Sequence, residues 1–261
     1  MSDALSAAWE ALEEGLAAEA LELLARAEPT AAAWACAALA YLDLEQYGEA
    51  DSAARRAEQA DGEDPDALLA AGEVHLAAWR VDRARAAFTE LAEIAPSWAA
   101  LERLSLCCDL AGDGEAAGLA LQRAAELFPG ERPCPPRLSP ERFEAVVQRA
   151  ERELPKELRT ALEHVAIVID PVPIQGTGAV IGDGRETPAD LLGLFVGTPL
   201  VDRSIENTGE MPPTVFLFQR NLERAARDEA ELEREIRITL FHELGHALGF
   251  DEDGVEEMGL G

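Results

Sequence analysis

A pattern of small and apolar residues recurs through the first half of the chain, and its period restricts the fold that half can adopt. Ala50, Ala54 and Ala57 sit at relative positions 0, 4 and 7. Ala84, Phe88 and Leu91 repeat that spacing 34 residues later, and Ala117, Leu121 and Ala124 repeat it after 33 more. Ala20, Leu24 and Ala27 precede the series by 30. Residues so spaced line one face of a helix. A second set leads each of these helices: Trp34, Ala38 and Tyr41, then Leu68, Gly72 and His75, then Leu101, Ser105 and Cys108. Pro65, Pro96 and Pro129 mark the unit boundaries, because a proline can begin or end a helix but cannot continue one. Two helices per unit of about 34 residues describe a helical solenoid, in which each unit buries its apolar face only by stacking on its neighbours.

The pattern W-x-x-x-A-x-x-Y, then A-x-x-x-A-x-x-A, then P resembles the tetratricopeptide repeat. Three units are expected at about 31–64, 65–98 and 99–131, with a shortened one at about 2–30, so that residues 1–131 form an all-α repeat domain. The resemblance implies a concave surface that holds a peptide or a protein partner. A generic alanine-rich helical bundle is the alternative. Trp9, Trp34, Trp79, Trp98 and His75 read as packing residues. Cys36, Cys107 and Cys108 fall in the same helical segments, where cysteine serves as a small core residue. No CxxC pair exists, and a reducing compartment fits.

Residues 129–140 read PGERPCPPRLSP, with five prolines, so a continuous helix is ruled out and an extended connector is expected over 132–139. Ser139 then offers an N-cap with Pro140 at the first helical position. Phe143, Val146, Val147, Ala150 and Leu154 share one apolar face of the helix that follows. Val165 to Asp170 and Val215 to Phe218 read as strands, with a glycine-rich strand-and-turn region between them. A charged helix runs from about Leu222 or Glu229 to Leu248. The second half, 140–261, is therefore a small α+β domain, and the whole chain is α+β with an all-α amino-terminal part. Val215 to Phe218 could be either an edge strand that pairs with an extended peptide or a core strand.

The formal net charge of −29 excludes the usual partners of basic proteins. Such a chain repels phosphate backbones and anionic lipid, so neither nucleic acid nor a membrane surface is expected to bind it. The amino terminus lacks a basic start followed by an apolar run, and no stretch reaches the roughly 20 apolar residues of a membrane span. A cytoplasmic location is expected.

The residues HELGH, His242 to His246, carry the chemistry. Four residues separate the histidines, so one helical turn puts both imidazoles on the same face, where they can share a metal ion. Zinc suits neutral imidazole. Glu243 follows the first histidine, in reach of the water that such a metal activates rather than of the metal itself. There it can act as general base and pass a proton to a leaving amine. Leu232, Ile236, Leu240, Leu244 and Leu248 form one apolar stripe, so the helix that the motif needs is present. Two histidines do not complete a catalytic zinc site, which takes a third protein ligand and keeps an open position. Gly249 can turn the chain sharply in a left-handed conformation, and Asp251, Glu252 or Asp253 can then return a carboxylate to the metal.

HELGHALGFDE resembles the extended HExxHxxGxxH/D motif of metzincin and aspartate-zincin metallopeptidases. That spacing places the third ligand on Glu252, ahead of Asp253 and Asp251, where those families have His or Asp. The strings VAIVIDPVP, LLGLFVGTPL, PPTVFLFQRNLE and HELGHALGFDEDGVEEMGL together resemble the small bacterial zincin-like metallopeptidases called mini-zincins, over about 140–261. The resemblance implies a compact zincin fold and a zinc-dependent peptidase acting on a peptide or protein, with the repeats recruiting substrate or partner. The alternative is a repeat-based interaction protein whose zincin-like site binds metal structurally. His164, and Arg203 or Arg220 as oxyanion stabilisers, are minor candidates. Substrate identity, oligomeric state and the partner of the repeats are not legible.

Overall fold

A computed structural model describes residues 3–174, 191–199 and 212–251 and divides the chain into two compact units, Met1–Glu131 and Arg132–Gly261. The first unit is a run of eight helices that pack in pairs. They are α1 (Asp3–Glu13), α2 (Ala17–Leu24), α3 (Ala31–Asp43), α4 (Tyr47–Ala60), α5 (Pro65–Ala77), α6 (Val81–Ile94), α7 (Trp98–Leu110) and α8 (Gly114–Leu127). Thr30, Asp64, Ser97 and Asp113 cap α3, α5, α7 and α8 by accepting backbone N–H bonds from the first turn.

Every pair turns in the same way. Gly15, Glu45, Trp79 and Gly112 all adopt a left-handed backbone, with φ of 76°, 58°, 56° and 78°. At each, two N–H groups fold back onto the end of the preceding helix: Glu45 to Leu42 and Gln46 to Tyr41, Trp79 to Leu76 and Arg80 to His75. These paired bonds satisfy carbonyls that the helix leaves open. Only two of the four positions are glycine, which is why the turn does not stand out in the sequence.

Alanine dominates the core of this unit and lets helices approach closely. Gly72 shows the limit, since a Cβ there would lie 2.6 Å from the Phe88 ring. Polar pairs then join successive units. Arg80 meets Asp51 at 2.6 Å, and Arg85 meets Asp113 at 2.9 Å. Asp51 and Arg85 are 34 residues apart and Arg80 and Asp113 are 33 apart, so the same inter-unit contact recurs with its charges exchanged.

The second unit contains α9 (Pro140–Glu153), α10 (Lys156–Ala161), β1 (Ala166–Asp170), β2 (Gly193–Val196), β3 (Thr214–Phe218), α11 (Gln219–Ala225) and α12 (Glu229–Leu248). Ser139 caps α9 with Pro140 in its first turn, and Asp228 caps α12. The three described strands are ordered β1-β3-β2. β1 runs parallel to β3, with Ala166 opposite Thr214, and β2 runs antiparallel to it, with Gly193 opposite Leu217. Val215 to Phe218 is thus the central strand, not an edge. Val215 and Leu217 are fully buried against Phe143, Val147, Leu232, Ile236 and Leu240. Arg142–Glu229, Arg149–Glu233 and Arg237–Glu153 link α9 to α12 along their solvent side.

Of the two starts expected for the charged helix, about Leu222 or Glu229, the structure has Glu229: Leu222 belongs to the separate α11, because Ala226 is extended and Asp228 starts α12 afresh. The proline-rich segment is extended but tied to the second unit. Leu138 is buried, its N–H donates to Glu223 Oε1 at 2.9 Å, and its carbonyl accepts from Gln219 at 2.9 Å.

Candidate metal centre

α12 holds the histidine pair because its inner stripe leaves little freedom of rotation. Leu232, Ile236 and Leu240 are completely buried and Leu244 nearly so, which locks the register of His242, Glu243 and His246 against the sheet. Gly249 ends the helix with φ of 98° in the left-handed region. Its N–H donates to His246 and that of Phe250 to Gly245. This reversal puts the Phe250 carbonyl 3.0 Å from His246 Nδ1. A carbonyl only accepts, so Nδ1 carries the proton and Nε2 presents a lone pair, as a metal ligand must.

That Nε2 lies 3.0 Å from Nε2 of His242, with the two rings nearly perpendicular at 85°. Tetrahedral zinc with bonds of about 2.0–2.1 Å separates two nitrogen ligands by roughly 3.3 Å. The pair is therefore within a few tenths of an ångström of the spacing that zinc requires, and two neutral imidazoles are a suitable donor set. Among the described residues no third histidine, cysteine or carboxylate joins them. Asp251 is exposed just after the turn; Glu252 and Asp253 lie outside the described residues, as does Arg203.

Glu243 is 9 % exposed and sits under the start of β2. The approach is made possible by Gly193, where a Cβ would lie 2.9 Å from Glu243 Cγ and 2.6 Å from Thr239 Cγ2. A cavity of about 320 Å³ opens here, walled by Gly193 and the two leucines before it on one side and by α12 from Glu235 to Glu243 on the other. Asn221 of α11 fixes that wall by donating to the Leu191 carbonyl at 2.7 Å, and Phe218 N–H donates to Leu192 at 3.0 Å. Asn221 in turn accepts from Arg224.

His164 is well exposed beside Glu163 and lies apart from this cavity. Arg220 is engaged by the buried Glu223 carboxylate at 2.7 Å. Gly193, Asn221 and the Phe250 carbonyl are the positioning groups that the motif alone did not reveal. All three occur within strings that carry the family resemblance, the one signal that could have pointed to them.

A helix-borne histidine pair beside a glutamate, under a small mixed sheet, has the form of the zincin class. Residues 162–261, within the second unit, match the family model described as zincin-like metallopeptidase. No curated protein matches the chain.

Proposed function

We propose that this protein is a zinc-dependent metallopeptidase, with Glu243 as general base and with tetratricopeptide-type repeats that recruit its substrate or a protein partner. The convergence of the two Nε2 atoms beside a buried Glu243, on the wall of a cavity, carries this reading. His242 and His246 would hold the ion, with Glu252 as third ligand by spacing and Asp253 or Asp251 as alternates. Zinc, when bound, supplies a Lewis acid that polarises the scissile carbonyl and makes water acidic at neutral pH. The remaining work falls to the chain. Glu243 accepts the proton of the attacking water and delivers it to the leaving amine. The close approach of the Gly193 backbone confines the Glu243 stem, and the Phe250 carbonyl holds the His246 ring. β2 pairs only with β3 among the described residues, so its outer edge offers backbone groups to an extended peptide.

A peptide or protein substrate follows from the family, and the negative field of the chain disfavours nucleic acid and anionic membrane. No helix among the described residues is long and apolar enough to cross a membrane. The free thiols of Cys36, Cys107, Cys108 and Cys134 support a reducing, cytoplasmic location.

Metal analysis and a peptide-library digest, run on wild type and Glu243→Gln, test the proposal. The expected result is about one zinc per chain, chelator-sensitive hydrolysis, and a Glu243→Gln variant that keeps zinc but not activity. Hydrolysis that survives the substitution would refute the role of Glu243. Zinc without turnover in wild type would favour the structural-site alternative. Separate neutralisation of Asp251, Glu252 and Asp253 identifies the third ligand by which variant loses zinc.

A further inference from the structure

The glutamates of α12 are not equivalent. Glu229 pairs with Arg142 and Glu233 with Arg149. Glu231 accepts from the Arg227 N–H at 2.6 Å. Glu235 comes next in the series, and among the described residues it has no hydrogen-bond or ion-pair partner. It is half-buried, and it is the member of the series that lines the cavity beside His242 and Glu243.

The lining between Glu235 and the histidine is mostly apolar, with Leu191 and Leu192 on one wall and Ile238 and the Thr239 methyl on the other. A carboxylate in such a setting gives up part of its hydration, and no donor among the described residues replaces it. A cationic group that enters the cavity would supply that partner. Glu235, Thr239 and Glu243 stand four residues apart on one stripe, and His242 is seven residues beyond Glu235, about 10 Å along the axis at ~1.5 Å per residue. The cavity thus runs along the helix from His242 and Glu243 at one end to Glu235 at the other.

Resting on the peptidase reading above, we infer that this cavity receives an arginine or lysine side chain of the substrate, and that Glu235 determines that specificity. A long basic side chain suits both parts of the channel. Its methylene stem covers Leu191 and Ile238, and its charged head reaches Glu235 while keeping contact with water. The pairing is charge-assisted, and with arginine it can be bidentate. The net charge of −29 attracts basic peptides to the whole surface, but it does not select a position along them. Glu235 supplies that selection at the site.

The test uses two short fluorescent peptides of alternating valine and threonine, identical but for one central arginine or its neutral isostere citrulline. Binding is read by anisotropy on the zinc-loaded Glu243→Gln protein, so that cleavage does not intervene, with and without Glu235→Gln. The arginine peptide should bind at least about tenfold tighter, a preference that falls to about twofold or less when Glu235 is neutralised. Gln retains helix propensity, and a melting curve confirms the fold. A preference that survives Glu235→Gln would trace to the general field and overturn the inference. So would equal binding of the two peptides, or binding of neither. Wild-type hydrolysis is scored separately: Glu235-dependent binding without turnover would remove the peptidase reading and leave the pocket, whereas turnover without selectivity would do the reverse.

Discussion

Gly193→Ala puts one methyl group where the structure has no room for it. The added Cβ would lie 2.6 Å from Thr239 Cγ2, 2.9 Å from Glu243 Cγ and 3.2 Å from the Phe216 carbonyl oxygen. Carbon atoms settle at about 3.5–4.0 Å, so Thr239 must retreat by about 1 Å and Glu243 by more than about half of that. Overpacking of this kind costs about 1–3 kcal/mol, or a melting temperature lower by roughly 3–10 °C for a domain of this size. The functional cost should be larger in proportion. A misplacement of about 1 Å in a catalytic group can lower the rate about 100-fold. The three atoms nearest the new Cβ belong to Thr239, Glu243 and Phe216, not to His242 or His246, so zinc content should be unchanged. The assay is therefore threefold: metal analysis, thermal melting and peptide hydrolysis, on Gly193→Ala and on Gly193→Ala with Thr239→Ser. Serine removes the methyl that is struck hardest, so the double variant should regain stability and recover rate only so far as Glu243 returns. A Gly193→Ala protein with wild-type melting temperature and rate would refute the claim that this strand positions Glu243.

The charge exchange between units predicts that Asp51→Arg and Arg80→Asp each weaken stacking, and that the double reversal, which copies Arg85–Asp113, recovers a coupling of about 0.5–1 kcal/mol in a urea-melt cycle. Additive single effects would contradict it. Burial, followed by the charges of Arg80 and Arg83, holds the His75 imidazole below its ordinary value of about 6.5; Asp51 pulls the other way, and Arg55 adds the least. The folded state then binds fewer protons, so this contribution to stability is present above pH ~6.5 and is lost as pH falls through the lowered value. His75→Gln should accordingly narrow the gap in melting temperature between pH 7.5 and 5.5; the raised carboxyls of Asp43 and Asp66 are common to both proteins and cancel. Glu45 is exposed with φ of 58°, and Glu45→Gly should raise stability by roughly 0.5–1 kcal/mol in urea, since relief of left-handed strain exceeds the chain entropy that glycine adds.

What the sequence made legible was local in origin. The 0, 4, 7 spacing identified the paired helices because helical periodicity is a property of adjacent turns, and Ser139 with Pro140 marked a helix start for the same reason. His242, Glu243 and His246 were readable because four residues on a helix fix their separation without help from the rest of the fold. Gly249 was readable as a left-handed terminus, and it is one. The identical turns at Glu45 and Trp79 were not, because neither residue is one that the conformation favours.

Tertiary structure decided whatever depends on residues far apart in the chain meeting. Only the β1-β3-β2 order makes Val215 to Phe218 central and, among the described strands, sets β2 at the edge. Only the packing of β2 on α12 shows that Gly193 must lack a side chain, that Asn221 holds Leu191, and that Glu235 faces the cavity while Glu229 and Glu233 face arginines. The histidine pair is written in one helical turn; the cavity beside it is assembled from strand, loop and helix, and no single stretch of sequence contains it.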